Sequence, residues 1–337
     1  MSTASIFPYN FALLPTFFYV KRDHNVTPAA TMQSEGGDFI LPEYDAENML
    51  RPDYTVMMVG ARGSGKTIMM LYFLNILARV LDLAVAFMPT TDTQEQFAEH
   101  IQKCFIYPDY DEKELARIVD AQKFLTRRKP SRLADGSYVT PNNRRVAVIL
   151  DDCMYDPKSG KGKTLRYLFM NGRHDNFFFM NAAQYVMDMN KSLRSQIDLV
   201  VAFPTEDESI ITPLRENLLG CFRNDEQLKR MFQALHENEA LVYDRRRANK
   251  KQPCLFFCKA KHPLPKFRVG NNIFWEMYYK HFVRSSSAHI DAHIQNRISS
   301  AKDNVVKAAE AGKAVTKIIR KKKQVAPMMA ALPDLDE

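Results

Sequence analysis

The stretch TVMMVGARGSGKT, residues 55–67, decides the fold. Its first half is a short run of apolar residues, which predicts a strand buried on both faces of a sheet. Its second half, Gly60-Ala61-Arg62-Gly63-Ser64-Gly65-Lys66-Thr67, satisfies G-x-x-x-x-G-K-[ST] at every fixed position. The residues that follow, KTIMMLYFLNILARVL (66–81), are apolar on nearly every side and predict a buried helix. Strand, glycine-rich turn and helix together make a phosphate cradle. The glycines let successive backbone N–H groups turn inward, and the helix N-terminus adds the positive end of its dipole. Lys66 then reaches β- and γ-phosphates and the Thr67 hydroxyl ligates Mg²⁺. ATP with Mg²⁺ is the expected ligand.

Outward from this point the chain alternates. LAVAFMPT (83–90), RVAVILDD (145–152), NFFFMNAAQ (176–184) and DLVVAFP (198–204) read as four more short strands, separated by helical stretches. Five such runs predict an α/β fold with a central, mostly parallel sheet covered by helices on both faces. Residues 91–130 read as polar and helix-rich, and 131–144 as a turn-rich loop. LRYLFMNG and residues 224–236 read as helices. LVYDRR (241–246) and PCLFFCKAK (253–261) read as a hairpin. The expected organisation is an N-terminal appendage (1–50), a P-loop ATPase core (51–225), a basic extension with a hairpin (226–299), and a basic helix ending in a mobile tail (300–337).

A nucleotide site needs an acid at the carboxyl end of a second strand, where ligands bind in open α/β sheets. The run Val146–Leu150 ends in Asp151 and Asp152. Asp151 is expected to hold the Mg²⁺ shell, and Asp152 to orient or deprotonate the attacking water. Gln184, at the end of the next strand, fits a sensor of the γ-phosphate. Arg173, in NGRHDN, and Arg194, in KSLRSQID, are the candidate arginine fingers, with Arg215 a weaker third.

The 337 residues suffice for one large domain with appendages, and 46% hydrophobic with 26% charged residues excludes whole-chain disorder and collagen-like classes. Five cysteines at irregular spacing suit a reducing compartment. Cys254, Cys258 and His262 admit a zinc site, but alternation along a strand is the preferred reading. The apolar residues 7–20 contain Pro8 and Pro15 and are too short to span a bilayer, so a soluble intracellular protein without a membrane span is expected. Residues 1–221 hold 24 Lys/Arg against 27 Asp/Glu, whereas residues 222–337 hold 23 against 12. The basic excess of the chain therefore sits in its last third and suggests a polyanionic partner. Candidate contacts are Lys158, Lys161 and Lys163 in the stretch 158–166, read as a pore-facing loop. A second set is Arg245, Arg246, Arg247, Lys250 and Lys251, and Lys321 to Lys323 suit DNA or a capsid.

The order of these motifs resembles the poxvirus-type genome-packaging ATPases of nucleocytoplasmic large DNA viruses, within the FtsK–HerA superfamily. The resemblance covers residues of about 50–225 and rests on MMVGARGSGKT, VAVILDD, NGRHDNFFFMNAAQY and SLRSQIDLVV. It implies a RecA-like core of the ASCE type, a ring that is typically a hexamer, and double-stranded DNA pumped through its pore into a capsid. In that family the positions matching Lys66 and Thr67 bind phosphate and Mg²⁺. Those matching Asp151 and Asp152 act as metal ligand and catalytic carboxylate, and Gln184 matches the sensor. Asp152 stands where many superfamily members carry Glu. The implied setting is a viral assembly site in the host cytoplasm, or the virion, with capsid or vertex proteins as partners. An ATPase that remodels a protein or membrane assembly without moving DNA is the alternative.

Overall fold

The computed structural model describes residues 20–23, 39–127, 131–132, 138–139, 144–153 and 162–283. The chain divides into a compact unit of residues 1–278 and a second of 279–337, of which only 279–283, in a π-helical turn, belong to the described residues.

In the first unit β1 (Val20–Asp23) and β2 (Phe39–Pro42) form a parallel pair. A short helix, α1 (Ala46–Met49), is capped by the Asp45 carboxylate and leads into β3 (Thr55–Val59). The phosphate loop and α2 (Lys66–Leu77) follow, then β4 (Leu83–Phe87), α3 (Thr91–Ala98) and β5 (Ile106–Tyr107). Asp111 caps α4 (Glu112–Thr126) by accepting from the Lys113 and Glu114 N–H groups. Within the expected turn-rich loop, β6 (Ser131–Arg132) pairs with β7 (Tyr138–Val139) as a small antiparallel ladder. Next come β8 (Val146–Asp151), α5 (Lys163–Asn171), β9 (Phe177–Ala183), α6 (Lys191–Arg194) and β10 (Leu199–Ala202). Helices α7 (Glu208–Asn217) and α8 (Asp225–Gln233) precede β11 (Glu239–Asp244), α9 (Arg245–Asn249), β12 (Leu255–Lys259) and α10 (Asn272–Met277).

Eight strands form one sheet in the order β12-β11-β10-β3-β9-β8-β4-β5. All neighbours from β10 to β5 are parallel, and the β11–β12 hairpin is antiparallel. The five strands expected from apolar runs are all present, because burial on both faces removes polar residues from both parities of a strand. Met57 and Val59 point into a core shared with α4, α5, α7 and α8. Val56 and Met58 point into a second core with α2 and Phe97. Helix α2 is buried almost all round, which explains its lack of a polar stripe.

Two expected boundaries are corrected. The hairpin is not a separate extension starting at 226: β11 pairs directly with β10 in the main sheet. Residues 41–50 are likewise core, with Leu41, Tyr44, Met49 and Leu50 buried, and the Tyr44 N–H donates to the Phe257 carbonyl of β12 at 2.7 Å. Both corrections have one cause. An edge strand left bare would expose a row of unpaired N–H and C=O groups, and the flanking chain covers it. The charge shift near 222 marks a change of surface, since Leu241, Val242, Phe256 and Phe257 remain buried.

Beyond β12, residues 260–271 run back over the α2 face toward the start of β4. Leu264 and Phe267 pack on that core, the Phe267 ring stacks on His100 at 4.0 Å, and the Val269 N–H donates to the His100 carbonyl. Trp275 Nε1 closes this strap by donating to the Val269 carbonyl at 2.9 Å. The predicted helix 300–323 and tail lie outside the described residues.

Candidate active site

Parallel strands in register bring their carboxyl ends to one edge. Val59 pairs with Ala183 and Ala202, and Asp151 with Ala182. The phosphate loop, both acids and Gln184 are therefore neighbours because of where their strands stop.

The loop itself is shaped by close approach. A β-carbon on Gly60 would lie 2.6 Å from Ser64 Oγ and 2.8 Å from Phe203 Cβ, so only glycine lets the loop leave β3 beside β10. Gly65 sits at φ +96° as the N-cap of α2, a conformation that side chains resist. Lys66 is only 6% exposed, and its ammonium donates to the Gly60 and Ala61 carbonyls at 2.8 and 2.9 Å. The lysine thus spans its own loop with one N–H still available. Ser64 Oγ is buried without a partner, a polar atom that a phosphate oxygen would satisfy. Thr67 is half-buried, and Ala61, Arg62 and Gly63 are exposed at the rim.

Asp151, also 6% exposed, has its carboxyl pushed up to about 6. Burial is the main cause and the Asp152 charge adds to it, while Lys66 opposes both. Asp152 adopts φ +48°, held by its N–H donating to the Ala182 carbonyl, and its carboxylate accepts from Gln184 Nε2 at 3.0 Å. A carboxylate pair beside a threonine hydroxyl is an all-oxygen donor set that suits Mg²⁺, and the orphaned Ser64 oxygen and loop amides suit a polyphosphate.

Two contributors escaped the sequence reading. Phe203, at the end of β10, fills the space against Gly60 and Gly65; its place in DLVVAFP, beside the loop strand, was the available signal. Cys153 Sγ donates to the Phe87 and Asp151 carbonyls, pinning the turn that carries the acids, and burial pushes this thiol up to about 12. Nothing in the sequence distinguished it from the other cysteines.

The arginines fall elsewhere. Arg173 is exposed in the Gly172–Asp175 turn, ahead of β9, so about 20 Å of strand separates it from Gln184. Its turn is fixed by buried Asp175, which accepts from Arg127, Tyr167 and Thr126. Arg173 does not join the site of its own chain. Arg194 is corrected as a finger: it is 7% exposed, with Nη1 against Met187 Sδ and its carbonyl taken by Arg245. Arg215 is bound to Asp225 and Glu216.

The expected DNA contacts are also corrected in part. Arg246 is forked onto Asp198 and Asp53 and lies over the Tyr54 ring; Arg245 donates to the Arg194 and Asn217 carbonyls, and Arg247 to the Pro253 carbonyl. These three guanidinium groups hold the amino edge of the sheet together. Lys250 and Lys251 are exposed. Lys163 is exposed in the first turn of α5, so the second half of 158–166 is helix; Lys158, Lys161 and Lys321 to Lys323 lie outside the described residues. Among the described residues no three or more His, Cys, Asp and Glu side chains cluster as a metal site, and Cys258 is buried in β12. No helix among them is long and apolar enough to cross a membrane.

With this geometry in hand, comparisons place the chain among known proteins. A family model described as Poxvirus A32 protein matches residues 42–244. Uncharacterised protein 075L of Invertebrate iridescent virus 6 is 24% identical over 190 residues, 56% of this chain and 69% of that one. Uncharacterised protein 088R of Invertebrate iridescent virus 3 is 26% identical over 208 residues, 61% of this chain and 75% of that one. Among solved structures, B204, the DNA-packaging ATPase from Sulfolobus turreted icosahedral virus, aligns with a TM-score of 0.45 at 15% identity, over 63% of this chain and 100% of that one.

Proposed function

The chain belongs to the poxvirus A32 protein family, and on that premise we propose that it is an ATPase that drives double-stranded DNA into a viral capsid. One observation carries the reading: the phosphate loop, Asp151, Asp152 and Gln184 meet at a single sheet edge, with Asp152 and Gln184 already hydrogen-bonded.

The loop N–H groups and the start of α2 bind the phosphates, and Ser64 Oγ supplies a further polar contact. The Lys66 ammonium, tied by two N–H groups to loop carbonyls, turns the third to the β- and γ-oxygens. Thr67 and Asp151 would hold Mg²⁺, which when bound would supply positive charge to the phosphates. Asp152 accepts the proton of the attacking water and holds the water in line. Gln184 donates to Asp152 when no γ-phosphate is present and turns to the phosphate when it is, which links hydrolysis to movement of β9. Arg173 faces away from its own site and acts on a neighbour's in a ring, six-membered by the family resemblance. Capsid or vertex proteins dock at the assembly site in the host cytoplasm.

The test is steady-state ATP hydrolysis at low and moderate salt, with and without long double-stranded DNA, with Lys66→Ala as blank. Turnover that rises with DNA and falls with salt supports the translocase. Turnover indifferent to DNA in an oligomeric sample transfers the weight to remodelling of a protein assembly.

A further inference from the structure

At the amino edge of the sheet, opposite the phosphate loop, a cleft of about 630 Å³ opens between the end of α2 and the strap. Its walls carry Arg79 from the α2 side and Lys266 and Arg268 from the strap, with the amides of Asn75, Asn271 and Asn272. The lining has one carboxylate, Asp82, whose Oδ2 is occupied by the Arg145 N–H at 2.9 Å. Arg79 and Lys266 are exposed, and neither has a carboxylate or carbonyl partner among the described residues. Arg268 lies over the Trp275 ring at 4.9 Å. This contrasts with Arg245 to Arg247, whose donors are consumed inside the fold. Behind the wall at Gly270, Gln102 is 1% exposed with both ends of its amide unpartnered; its Nε2 lies 3.4 Å from the point where a Gly270 β-carbon would be.

We infer that this cleft seats backbone phosphates of double-stranded DNA, an inference that rests on the translocase reading above. The chemistry favours a phosphodiester chain over a free anion. The cations stand exposed along an open rim instead of enclosing one point, and asparagine amides are backbone-contacting donors. The lining holds Phe267 as its one aromatic ring, and that ring is already stacked on His100, so bases have no platform and binding is indifferent to sequence. Position adds a mechanical reason. Helix α2 starts at Lys66 and its end lines the cleft, so one rigid rod about 18 Å long joins phosphate loop and DNA contact.

The experiment uses the full chain and a 30-base-pair duplex, read by fluorescence anisotropy across a salt series beside ATP turnover. The double variant Arg79→Ala/Lys266→Ala is compared with Lys113→Ala/Lys259→Ala, which removes the same charge from exposed positions elsewhere. The expected result is basal turnover unchanged in both, with DNA stimulation lost only in the first. Loss of two phosphate contacts makes the log–log salt slope shallower by about 1.8 and weakens binding on the order of 50-fold at 0.1 M salt. Wild-type slope and stimulation in the first variant, or equal losses in both, overturn the cleft as the contact. Inorganic phosphate that displaces no duplex supports it; phosphate that binds the cleft while the duplex ignores the mutations overturns it. If wild-type protein neither binds duplex nor responds to it, the translocase reading itself fails, a result distinct from failure of the variant alone.

Discussion

The two edges of the sheet are built from the same residue types to opposite ends. At the amino edge, the charges beneath β3, β9, β10 and β11 have their answers: Arg246 sits on Asp198 and Asp53, Asp175 collects Arg127, Tyr167 and Thr126, and Asp244 accepts from Tyr54; the exposed cations of the cleft beside β4 are the exception. At the carboxyl edge the charges are under-answered. Ser64 Oγ has no partner, Asp151 is buried beside a second carboxylate, and Lys66 makes do with loop carbonyls. Satisfied polar groups hold a fold together; groups left short and close together await a ligand. The contrast separates residues whose loss should cost activity from those whose loss should cost stability.

The largest expected effect is at Lys66. Lys66→Ala should lower ATP turnover by at least about a hundredfold, since a cation aimed at developing phosphate charge is worth that much or more, with the melting temperature little changed. Next is Asp152→Asn, which should lower turnover by about 10²–10⁴ while ATP binding, measured by calorimetry, survives. Equal loss of binding in both variants would end the division of roles between loop and acid. At the opposite edge, Asp198→Ala leaves Arg246 with Asp53 alone and strands the Thr55 N–H, so it should cost about 2 kcal/mol in denaturant unfolding; per folded molecule, basal turnover should hold. A selective loss of turnover there would erase the distinction between edges.

A subtler effect follows from Asp151. Its carboxyl is raised to about 6, so in metal-free protein its contribution to stability falls as pH rises from the ordinary carboxylate range through 6, where it ionises. Mg²⁺ with nucleotide needs the ionised form and relieves that cost. The thermal shift on adding them should therefore grow between pH 5 and 7 with a midpoint near 6 and be flat above it. A pH-independent shift would remove Asp151 from the metal shell. The smallest effect is expected from Arg194→Met. Replacing a buried cation that has no carboxylate with an apolar side chain should leave turnover unchanged and stability within about 1 kcal/mol, or slightly raised. An Arg194→Met variant that inactivates its neighbours in a mixed ring would restore the finger that burial denies.

These edges were unequally legible in the sequence. Val56 to Val59, Ala147 to Leu150 and Phe177 to Met180 read as strands because burial on both faces writes an unbroken apolar run. The phosphate loop and the acid pair were legible because their chemistry is local: a few residues at fixed spacing, each next to its strand end. Partnerships were not. Arg246 meets Asp53 across 193 positions, and Arg194 is 7% exposed with its Nη1 against Met187 Sδ, so neither is distinguishable in sequence from a surface arginine. The hairpin itself was read correctly, but its place in the main sheet depends on the pairing of β10 with β11, which a jump in surface charge disguised.

Strand order has a consequence for how this chain is made. The phosphate-loop strand is the first of the site strands to be synthesised, yet its two partners are β9 and β10, and the later ends at Ala202. At about 5–20 residues per second a ribosome needs roughly 7–30 s to supply them. Until β9 is made β3 has neither neighbour, and from then until β10 arrives it has only one. Tyr44 waits longer still for Phe257. The nascent protein thus emerges with its nucleotide-gripping turn already written but mechanically unbraced, and a competent site first exists when nearly the whole sheet has been threaded.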